Sequence, residues 1–343
     1  MRIIKVFGRN PDAAARERYS QLSNYERNRF RNQHETPVMV GNKWSMLVEF
    51  IKKPNTVRPS SELPFVKTDL HSLTSATPSV VWFGHSSYLM IMGETRILVD
   101  PVFTGSASPF RFLIPAFKGS NSYVPADIPD IDILVLTHDH YDHLDYDTFV
   151  ALQPRIKQII CPLGVGSHLR YWGTPAEKIT EMNWRDSIQL TNDIKFTSEP
   201  ARHMTGRAFS QFNTLWCSYV LEWGAFRIYI GGDSGFDAHF QDIGKRWGGF
   251  DLAFLECGQY NSDWCHVHMI PEETVLAAQQ IGAKVLFPVH WSKFALAYHP
   301  WAEPIQRIIS AANKSNQTLT FPRIGEVWQL GSDPRREVWW DFE

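Results

Sequence analysis

The sequence predicts an α/β protein of the α+β kind, an αββα sandwich in which two mixed β-sheets pack face to face and are flanked by helices. Three observations predict it: the strand pattern, the placement of the helices, and the length with its composition. From Pro78 onward, short apolar strands alternate with turns, and helices join the strands in both halves. The 343 residues, of which 43% are hydrophobic and 20% charged, are typical of one large or two modest globular domains.

The first half begins with three strands that predict a meander, in which Gly93-Glu94 forms the last tight turn. A fourth segment, Ile131–Leu136, is apolar enough to be a buried central strand. A helix and one more strand complete this half. In chain order, the predicted elements are strands Ser79–Phe83, Tyr88–Met92, Thr95–Val99 and Ile131–Leu136, helix Asp145–Leu152, and strand Lys157–Cys161.

The second half continues the β pattern and adds three helices. Pro271–Ile281 is the best marked of them, because proline occupies the first turn, two glutamates follow at the positive end, and Gly282 stops the helix. The strands are Ser187–Leu190, Ile194–Ser198, Ser218–Trp223, Arg227–Gly231, Leu252–Glu256 and Val285–Val289, and the other helices are Asp237–Trp247 and Glu303–Ala312.

The first 75 residues differ in composition from the rest. The segment from Asp12 to Arg31 predicts one or two exposed helices, and residues 52–64, with three prolines, predict an extended connector. We therefore divide the chain into an N-terminal extension, residues 1–75, packed on a main domain, residues 76–343. A partner-binding module is the alternative interpretation of the extension.

Charge and targeting signals restrict the partners. The 34 basic and 36 acidic side chains give a net charge of −2, so we expect no nucleic-acid partner. No apolar run approaches the ~20 residues of a membrane-spanning helix, and the N-terminus does not resemble a signal peptide. Four cysteines without a CxxC pair indicate reduced thiols. We expect a cytoplasmic protein, with peripheral membrane association and homo-oligomers as open alternatives.

The strongest chemical signal is the segment THDHYDH, residues 137–143, directly after the apolar strand. Its pattern is H-x-H-x-D-H. Residues two apart in an extended segment point the same way, so His138 and His140 can bind one ion together. The turn that follows lets Asp142 and His143 reach a second ion. Imidazoles combined with carboxylates suit a dinuclear centre, whereas a loop of unrelated histidines is the alternative.

Three later positions extend this set, each after a predicted strand. His203 follows Ile194–Ser198 and supplies a third ligand for the first ion. Asp233 lies among glycines, which allow close backbone approach, and its two oxygens can bridge two ions. His290 ends the last buried strand and supplies a third ligand for the second ion. A plain Gly-Asp turn and an ordinary strand-end histidine are the alternatives.

At this point the chain resembles the metallo-β-lactamase superfamily, and within it the branch that contains N-acyl-phosphatidylethanolamine-hydrolysing phospholipase D. The resemblance covers residues from about 80 to 310. It rests on the ligand order and on six surrounding segments. These are residues 82–87 (WFGHSS), 99–103 (VDPVF), 137–145, 242–253 (DIGKRWGGFDLA), His268 with 271–273 (PEE), and 290–297 (HWSKFALA).

The resemblance implies a hydrolase with two divalent metal ions, usually zinc in this family, with manganese or iron as alternatives. His138, His140 and His203 would hold the first ion. Asp142, His143 and His290 would hold the second, and Asp233 would bridge them. A metal-bridging hydroxide would be the nucleophile, since coordination lowers the pKa of bound water to ~7. The implied reaction is phosphodiester hydrolysis of a small molecule or phospholipid.

Further residues are candidates for catalysis or support. Metal-bound histidines usually donate their other N–H to an acceptor, and Asp100 and Asp139 are candidates for it. By resemblance, His85 lies near the metal face without being a ligand. His268 would contact the phosphate or transfer a proton, and His266, two residues before it, is a candidate for substrate contact. Asp142 and Asp233 would take part in catalysis as well as in metal binding. Simple surface or capping roles are the alternatives. Glu256 and Cys257 depart from the more apolar family pattern, which weakens the case for a lipid.

Other functions remain open at this point. A lactonase resembling L-ascorbate-6-phosphate lactonase and a small-molecule phosphoesterase are the nearest alternatives. A nuclease would need a basic face, which the net charge disfavours. A non-catalytic metal-binding or lipid-binding protein would fit a degraded ligand set, whereas this one is complete. A lipid substrate would require membrane docking, for which the loop 103–124 offers Phe103, Phe110, Phe112 and Phe117; these aromatics could instead cover the cleft.

Overall fold

The computed structural model describes residues 2–41, 48, 52–208 and 210–341. Its main elements are fourteen strands and six helices. The strands are β1 Ser75–Trp82, β2 Tyr88–Gly93, β3 Thr95–Val99, β4 Ile131–Val135, β5 Ile156–Pro162, β6 Ile179–Met182, β7 Ser187–Thr191, β8 Ile194–Glu199, β9 Ser218–Trp223, β10 Phe226–Ile230, β11 Phe250–Glu256, β12 Ala283–Val289, β13 Thr318–Leu319 and β14 Val327–Gln329. The helices are α1 Ala13–Tyr19, α2 Tyr146–Leu152, α3 Val165–Tyr171, α4 His239–Trp247, α5 Pro271–Gln280 and α6 Glu303–Ser315. A one-turn helix, Arg2–Lys5, several 3-10 turns, two small hairpins and irregular segments complete the described residues.

The strands form two seven-stranded sheets of similar design. The first sheet has the order β14-β1-β2-β3-β4-β5-β6, and the second has the order β13-β12-β11-β10-β9-β8-β7. In each sheet an antiparallel meander is followed by parallel pairs: β3 to β6 are mutually parallel in the first, and β10 to β13 in the second. Both sheets are therefore mixed, and helices flank them, as the sequence predicts.

Alternating side chains of the first sheet belong to two different cores. Val80 and Trp82 of β1 face the second sheet, whereas Val81 faces α2 and α3. Because both faces of the sheet are covered, the sequences of its strands are nearly continuous apolar runs. Across the sandwich, the ring of Tyr88 stacks on Phe254 with centroids 4.0 Å apart. This packing fixes the two sheets against each other and aligns their ends.

Some elements differ from the prediction. Only Ala13–Tyr19 of the segment from Asp12 to Arg31 is helical, and a hairpin pairs Tyr25 with Phe30. The turn residues Arg27 and Asn28 both have positive φ, the geometry of a tight hairpin turn, which stops the helix pattern there. The prediction also lacks α3, β6, β13 and β14, which are short and carry weak periodicity. None of the helices in the described part of the chain has the length and apolarity needed to cross a bilayer.

The described part of the first 75 residues lies on the main body. Trp172 Nε1 donates to the carbonyl of Lys5 at 2.7 Å, and the amide of Phe30 donates to Phe212 at 2.9 Å. Farther along, the amide of Leu63 donates to Lys118 at 2.9 Å. These contacts agree with a packed extension, while the domain boundary at residue 75 stays a prediction.

Candidate metal centre

The predicted ligands lie where strands of both sheets end. The loop 137–143 follows β4, His203 follows β8, Asp233 follows β10, and His290 follows β12. Parallel strands bring their carboxyl ends to one edge, and facing sheets bring two such edges together. The side chains meet at this shared edge.

The local backbone lets these loops approach closely. Asp100 accepts two hydrogen bonds from Thr137, one from its amide at 2.9 Å and one from its hydroxyl at 2.6 Å, which fixes the start of the ligand loop. Gly232 has φ +62°, and a Cβ there would lie 2.8 Å from Thr137 Cβ. Only glycine therefore allows the loop carrying Asp233 to lie this close to the histidine loop.

Three imidazoles form the first group. His140 Nδ1 lies 3.0 Å from His138 Nε2 and 3.3 Å from His203 Nε2. Asp233 Oδ2 lies 3.7 Å from His138 Nε2 and 3.8 Å from His203 Nε2. The three ring nitrogens predicted for the first ion thus lie together, and a carboxylate oxygen lies beside two of them; that they bind an ion stays a prediction.

Two imidazoles and a carboxylate form the second group. Asp142 Oδ2 lies 3.4 Å from His290 Nε2 and 3.7 Å from His143 Nε2. Asp233 Oδ2 lies 3.1 Å from each of these two nitrogens. Asp233 is therefore shared between the two groups, as a bridging ligand requires.

The histidines are oriented by bonds from their outer nitrogens. When Nδ1 donates to a fixed acceptor, Nε2 presents its lone pair to the centre. Four rings follow this rule: His138 Nδ1 donates to Thr137 Oγ1 at 3.0 Å, His143 Nδ1 to Asp100 at 2.8 Å, His203 Nδ1 to the carbonyl of Val267 at 2.9 Å, and His290 Nδ1 to the carbonyl of Gly258 at 3.2 Å.

The donor set fits divalent metal ions. Asp233 Oδ1 is buried and has no hydrogen-bond partner among the described residues, and a coordinated cation would satisfy it. The same cation would separate His143 Nε2 from Asp233 Oδ2, which lie 3.1 Å apart, by binding both. Burial would raise the pKa of Asp233, but the adjacent His143 and His290 hold it well below its usual range, so the carboxylate is ionised. Imidazole and carboxylate ligands suit zinc, manganese and iron alike.

A family model described as a beta-lactamase superfamily domain matches residues 95–291, a span that contains all seven converging side chains. The chain belongs to the beta-lactamase superfamily. This confirms the resemblance drawn from the motifs and, with the fold, the predicted architecture. Membership supports a metal-dependent hydrolase.

Two proteins and one solved structure are similar to this chain over most of its length. An uncharacterized protein of Mycobacterium tuberculosis is 38% identical over 296 residues, which are 85% of this chain and 79% of that protein. The N-acyl-phosphatidylethanolamine-hydrolyzing phospholipase D 1 of Caenorhabditis elegans is 31% identical over 273 residues, 72% of this chain and 74% of that enzyme. Igni18, described as a metallo hydrolase from Ignicoccus hospitalis, has a TM-score of 0.58 at 20% identity and covers 75% of this chain and 100% of that chain. This last likeness concerns the fold alone.

The ring of His85 lies against the second group. Its Nε2 is 2.9 Å from Asp142 Oδ2, and its ring centroid is 4.1 Å from that of His290. Burial and the neighbouring His290 lower the pKa of His85 to about 3, so the ring is neutral and donates to the carboxylate. The sequence predicts a supporting role for His85 and not a ligand role. The structure places the His85 ring within ligand distance of the second group, and the supporting role stays a prediction.

His268 lies beside both groups. Its ring centroid is 5.1 Å from that of His203 and 5.2 Å from that of His290, and its Nδ1 donates to Glu256 at 2.7 Å. Glu256 is fully buried and also accepts from the amide of Ser234 at 2.8 Å. The sequence indicated Glu256 only as a departure from the family pattern, and its pairing with His268 comes from the structure.

His266 is half-buried and is not among the side chains that converge in the described part of the chain. Its backbone packs tightly against Gly235, where a Cβ would lie 1.9 Å from the His266 carbonyl oxygen. Its predicted role near the substrate rests on the sequence alone.

A second buried network supports the histidine loop and was missed from the sequence. Asp139 accepts from His168 Nε2 at 3.1 Å, so it orients a histidine outside the predicted ligand set. Arg207 donates to the carbonyls of Asp139 and Leu144, both at 2.8 Å, and to that of Val6 at 2.6 Å. No motif surrounds His168 or Arg207, so no local signal could have identified them.

The aromatic loop divides into two kinds of residue. Phe103 and Phe117 are buried, as cleft-covering or core residues would be. Phe110 is 38% exposed and Phe112 is 78% exposed, and the adjacent Leu113 is 55% exposed. Of the four phenylalanines, only Phe110 and Phe112 are therefore available for contact with another surface.

Proposed function

We propose that this protein is a dinuclear metal-dependent phosphodiesterase that acts on a phospholipid of the N-acyl-phosphatidylethanolamine type. The observation that carries the proposal is that seven ligand-type side chains form two adjoining groups, in which Asp233 Oδ2 lies 3.1 to 3.8 Å from four imidazole nitrogens. The Caenorhabditis elegans relative, whose name states that activity, supports the substrate class. Two ions, zinc or alternatively manganese or iron, would be held by the first group, by the second group, and by Asp233 between them.

When bound, such ions supply Lewis acidity and lower the pKa of a coordinated water to ~7. The protein's own residues do the rest. The fixed rings of His138, His143, His203 and His290 keep the two positions apart and oriented. The ionised Asp142 and Asp233 provide the charge that attracts cations.

His268 is proposed to act on the substrate. Because Nδ1 is tied to Glu256, Nε2 is left to contact a phosphate oxygen or to pass a proton to the leaving oxygen. Its position between His203 and His290 places it beside both groups. Glu256 fixes the ring in one tautomer and so keeps Nε2 in that role.

A metal analysis combined with a substrate panel tests the proposal. We expect about two transition-metal ions per chain, hydrolysis of N-acyl-phosphatidylethanolamine and bis(p-nitrophenyl) phosphate, and loss of activity on chelation that is restored by metal. Protein that carries no stoichiometric metal, or activity that survives chelation, would refute it.

The lactonase or small-molecule phosphoesterase alternative is favoured by one observation. Glu256 places a fully buried carboxylate next to His268, on the side of the centre where a lipid-binding enzyme would be expected to be more apolar. Turnover of lactones together with inertness toward both phosphodiesters would select this alternative.

We also propose peripheral membrane contact of a cytoplasmic protein through an exposed apolar patch, defined as Phe110, Phe112 and Leu113. The ring of Phe7 borders this patch, because it lies 6.2 Å from that of Phe110.

Co-sedimentation with liposomes that contain N-acyl-phosphatidylethanolamine tests this contact. We expect binding by the wild type and loss of binding in Phe112→Ser/Leu113→Ser. Val124→Ser is the matched control, since Val124 is 48% exposed but lies outside the patch. Equal binding by all three proteins, or no binding by the wild type, would remove membrane contact from the proposal.

A further inference from the structure

The N-terminal extension contacts the backbone of a predicted metal ligand. Asn32 Nδ2 donates to the carbonyl of His203 at 2.8 Å, and the amide of His203 donates to Asn32 Oδ1 at 3.1 Å. One side chain thus satisfies both backbone groups of His203. The two partners also fix the orientation of the Asn32 amide, because a carbonyl needs a donor and an N–H needs an acceptor.

His203 is one of three ligands that stand singly after a strand. It lies farther from its strand, β8, than Asp233 and His290 lie from theirs. Its loop is held by separate elements: Trp216 Nε1 donates to Ala201 at 2.9 Å, and the amide of Arg202 donates to Ser234 Oγ at 2.9 Å. At His203 itself, Asn32 occupies both backbone groups.

Asn32 is itself fixed on both sides. Before it, the buried Phe30 packs on Tyr19, with centroids 5.3 Å apart, and bonds through its amide to Phe212. After it, His34 Nδ1 bonds to Asp237 at 2.7 Å, and Arg202 Nε donates to Thr36 Oγ1 at 3.0 Å. The side chain of Asn32 therefore stands between two anchors and can hold His203 in place.

We propose that Asn32 is a positioning residue for the first ligand group, so that the N-terminal extension is part of the metal site. This inference rests on the proposed metal binding. Removing the Asn32 amide leaves two buried backbone groups of His203 without partners, and the ring then loses part of its fixed placement. The second group has no contact of this kind with the extension among the described residues.

The test uses the full chain, stripped with a chelator and titrated with Zn²⁺ against a chromophoric competitor. His203→Ala identifies the binding step that belongs to the first group, because it abolishes that step. We expect Asn32→Ala to weaken the same step about tenfold and to leave the other step unchanged. Asn32→Asp, which keeps the acceptor for the His203 amide, should fall between Asn32→Ala and the wild type.

Asn24→Ala is the matched control, since Asn24 lies in the same extension, is also half-buried, and bonds through its side chain to Asn183 at 2.8 Å, away from the centre. It should bind both ions as the wild type does. If folded Asn32→Ala or Asn32→Asp retains wild-type affinity at both steps, the positioning role is refuted. If Asn32→Ala does not fold, Asn32→Asp decides. A wild type that binds no Zn²⁺ would instead refute the proposed function.

Discussion

The two ligand groups share Asp233 but differ in chemistry and in support. The first group consists of three imidazoles, and its His203 is held by Asn32 from the N-terminal extension. The second group adds the carboxylate of Asp142, and its His143 is held by Asp100 at the end of β3. The first group therefore depends in part on a contact made by the N-terminal extension, whereas the contacts that hold His143 and His290 of the second group come from the ends of strands in the two sheets.

This difference predicts unequal affinities. A carboxylate ligand adds negative charge to the second group, and burial strengthens its attraction for a cation. Asp233 and Asp142 raise the pKa of His143 to about 10 despite its burial, so positive charge is favoured at this position, and a bound ion would take the place of the proton on Nε2. We expect the second group to bind its ion more tightly than the first.

The largest expected effect is that of Asp233→Asn, because Asp233 is common to both groups. Loss of its charge should release both ions and lower turnover by about 100-fold or more. Metal content and initial rates are the measurements. Asp242→Asn, an exposed carboxylate on α4, is the control and should change neither. Retention of full turnover by Asp233→Asn would show that the shared position has been assigned to the wrong residue.

Glu256→Gln should separate chemistry from metal binding. Glutamine can still accept from the Ser234 amide, but it no longer offers His268 a charged acceptor. We expect turnover to fall roughly 10- to 100-fold while both ions stay bound. In a His268→Ala background the same change should add little further loss, because the two residues act as a unit. Additive losses would indicate that Glu256 acts through His290, whose Nδ1 lies 3.4 Å away.

Asp100→Asn is expected to affect mainly the second group. The amide can still accept from the backbone of Thr137, but it cannot accept from both the Thr137 hydroxyl and His143. We expect about a tenfold loss of affinity in the step that His203→Ala leaves intact. Together with Asn32→Ala, this variant forms a reciprocal pair measured in the same Zn²⁺ titration. If both variants weaken the same step, the two groups are not supported independently.

The same division explains what the sequence could predict. The ligand residues form a local motif or stand at ends of apolar strands, so spacing and periodicity indicate them. Asn32, His168 and Arg207 make their contacts across the chain, and nothing in their immediate neighbours indicates a partner. The pairing of Asn32 with His203 spans 171 positions. Such contacts depend on how the extension lies on the sandwich, which periodicity does not specify.

The secondary-structure elements differ in the same way: those with a strong local pattern are predicted, and those that depend on long-range contacts are missed. The meander β1 to β3 is predicted because its strands are apolar on both faces and its last turn is Gly93-Glu94. Helix α3 was missed because it begins at a glycine in a positive-φ conformation, Gly164, and contains Gly166 in its first turn. Packing against the first sheet and hydrogen bonds from the amides of Gly164 and Gly166 to Glu181 stabilise this helix, and such contacts depend on the fold.

The smallest expected effect concerns the buried cations beside the two groups. Arg207 lies near the first group and bonds to three backbone carbonyls. Lys293 lies near the second, donates to the carbonyls of Phe83 and Val102 at 3.1 and 2.8 Å, and contacts the rings of Phe103 and Phe294. Burial lowers the pKa of Lys293 to about 7, whereas the unfolded chain keeps the ordinary value of 10.5.

Between pH 7 and about 10 the unfolded state therefore binds more protons at Lys293 than the folded state does, so this residue makes stability rise with pH. Urea unfolding at several pH values should show that the free energy of unfolding of the wild type, minus that of Lys293→Met, increases by roughly 1 kcal/mol per pH unit between pH 7 and 9. Lys284→Met, an exposed lysine of β12, is the control and should give no such slope. A flat difference for Lys293→Met would mean that Lys293 stays protonated in the fold, as Arg207 does beside the first group.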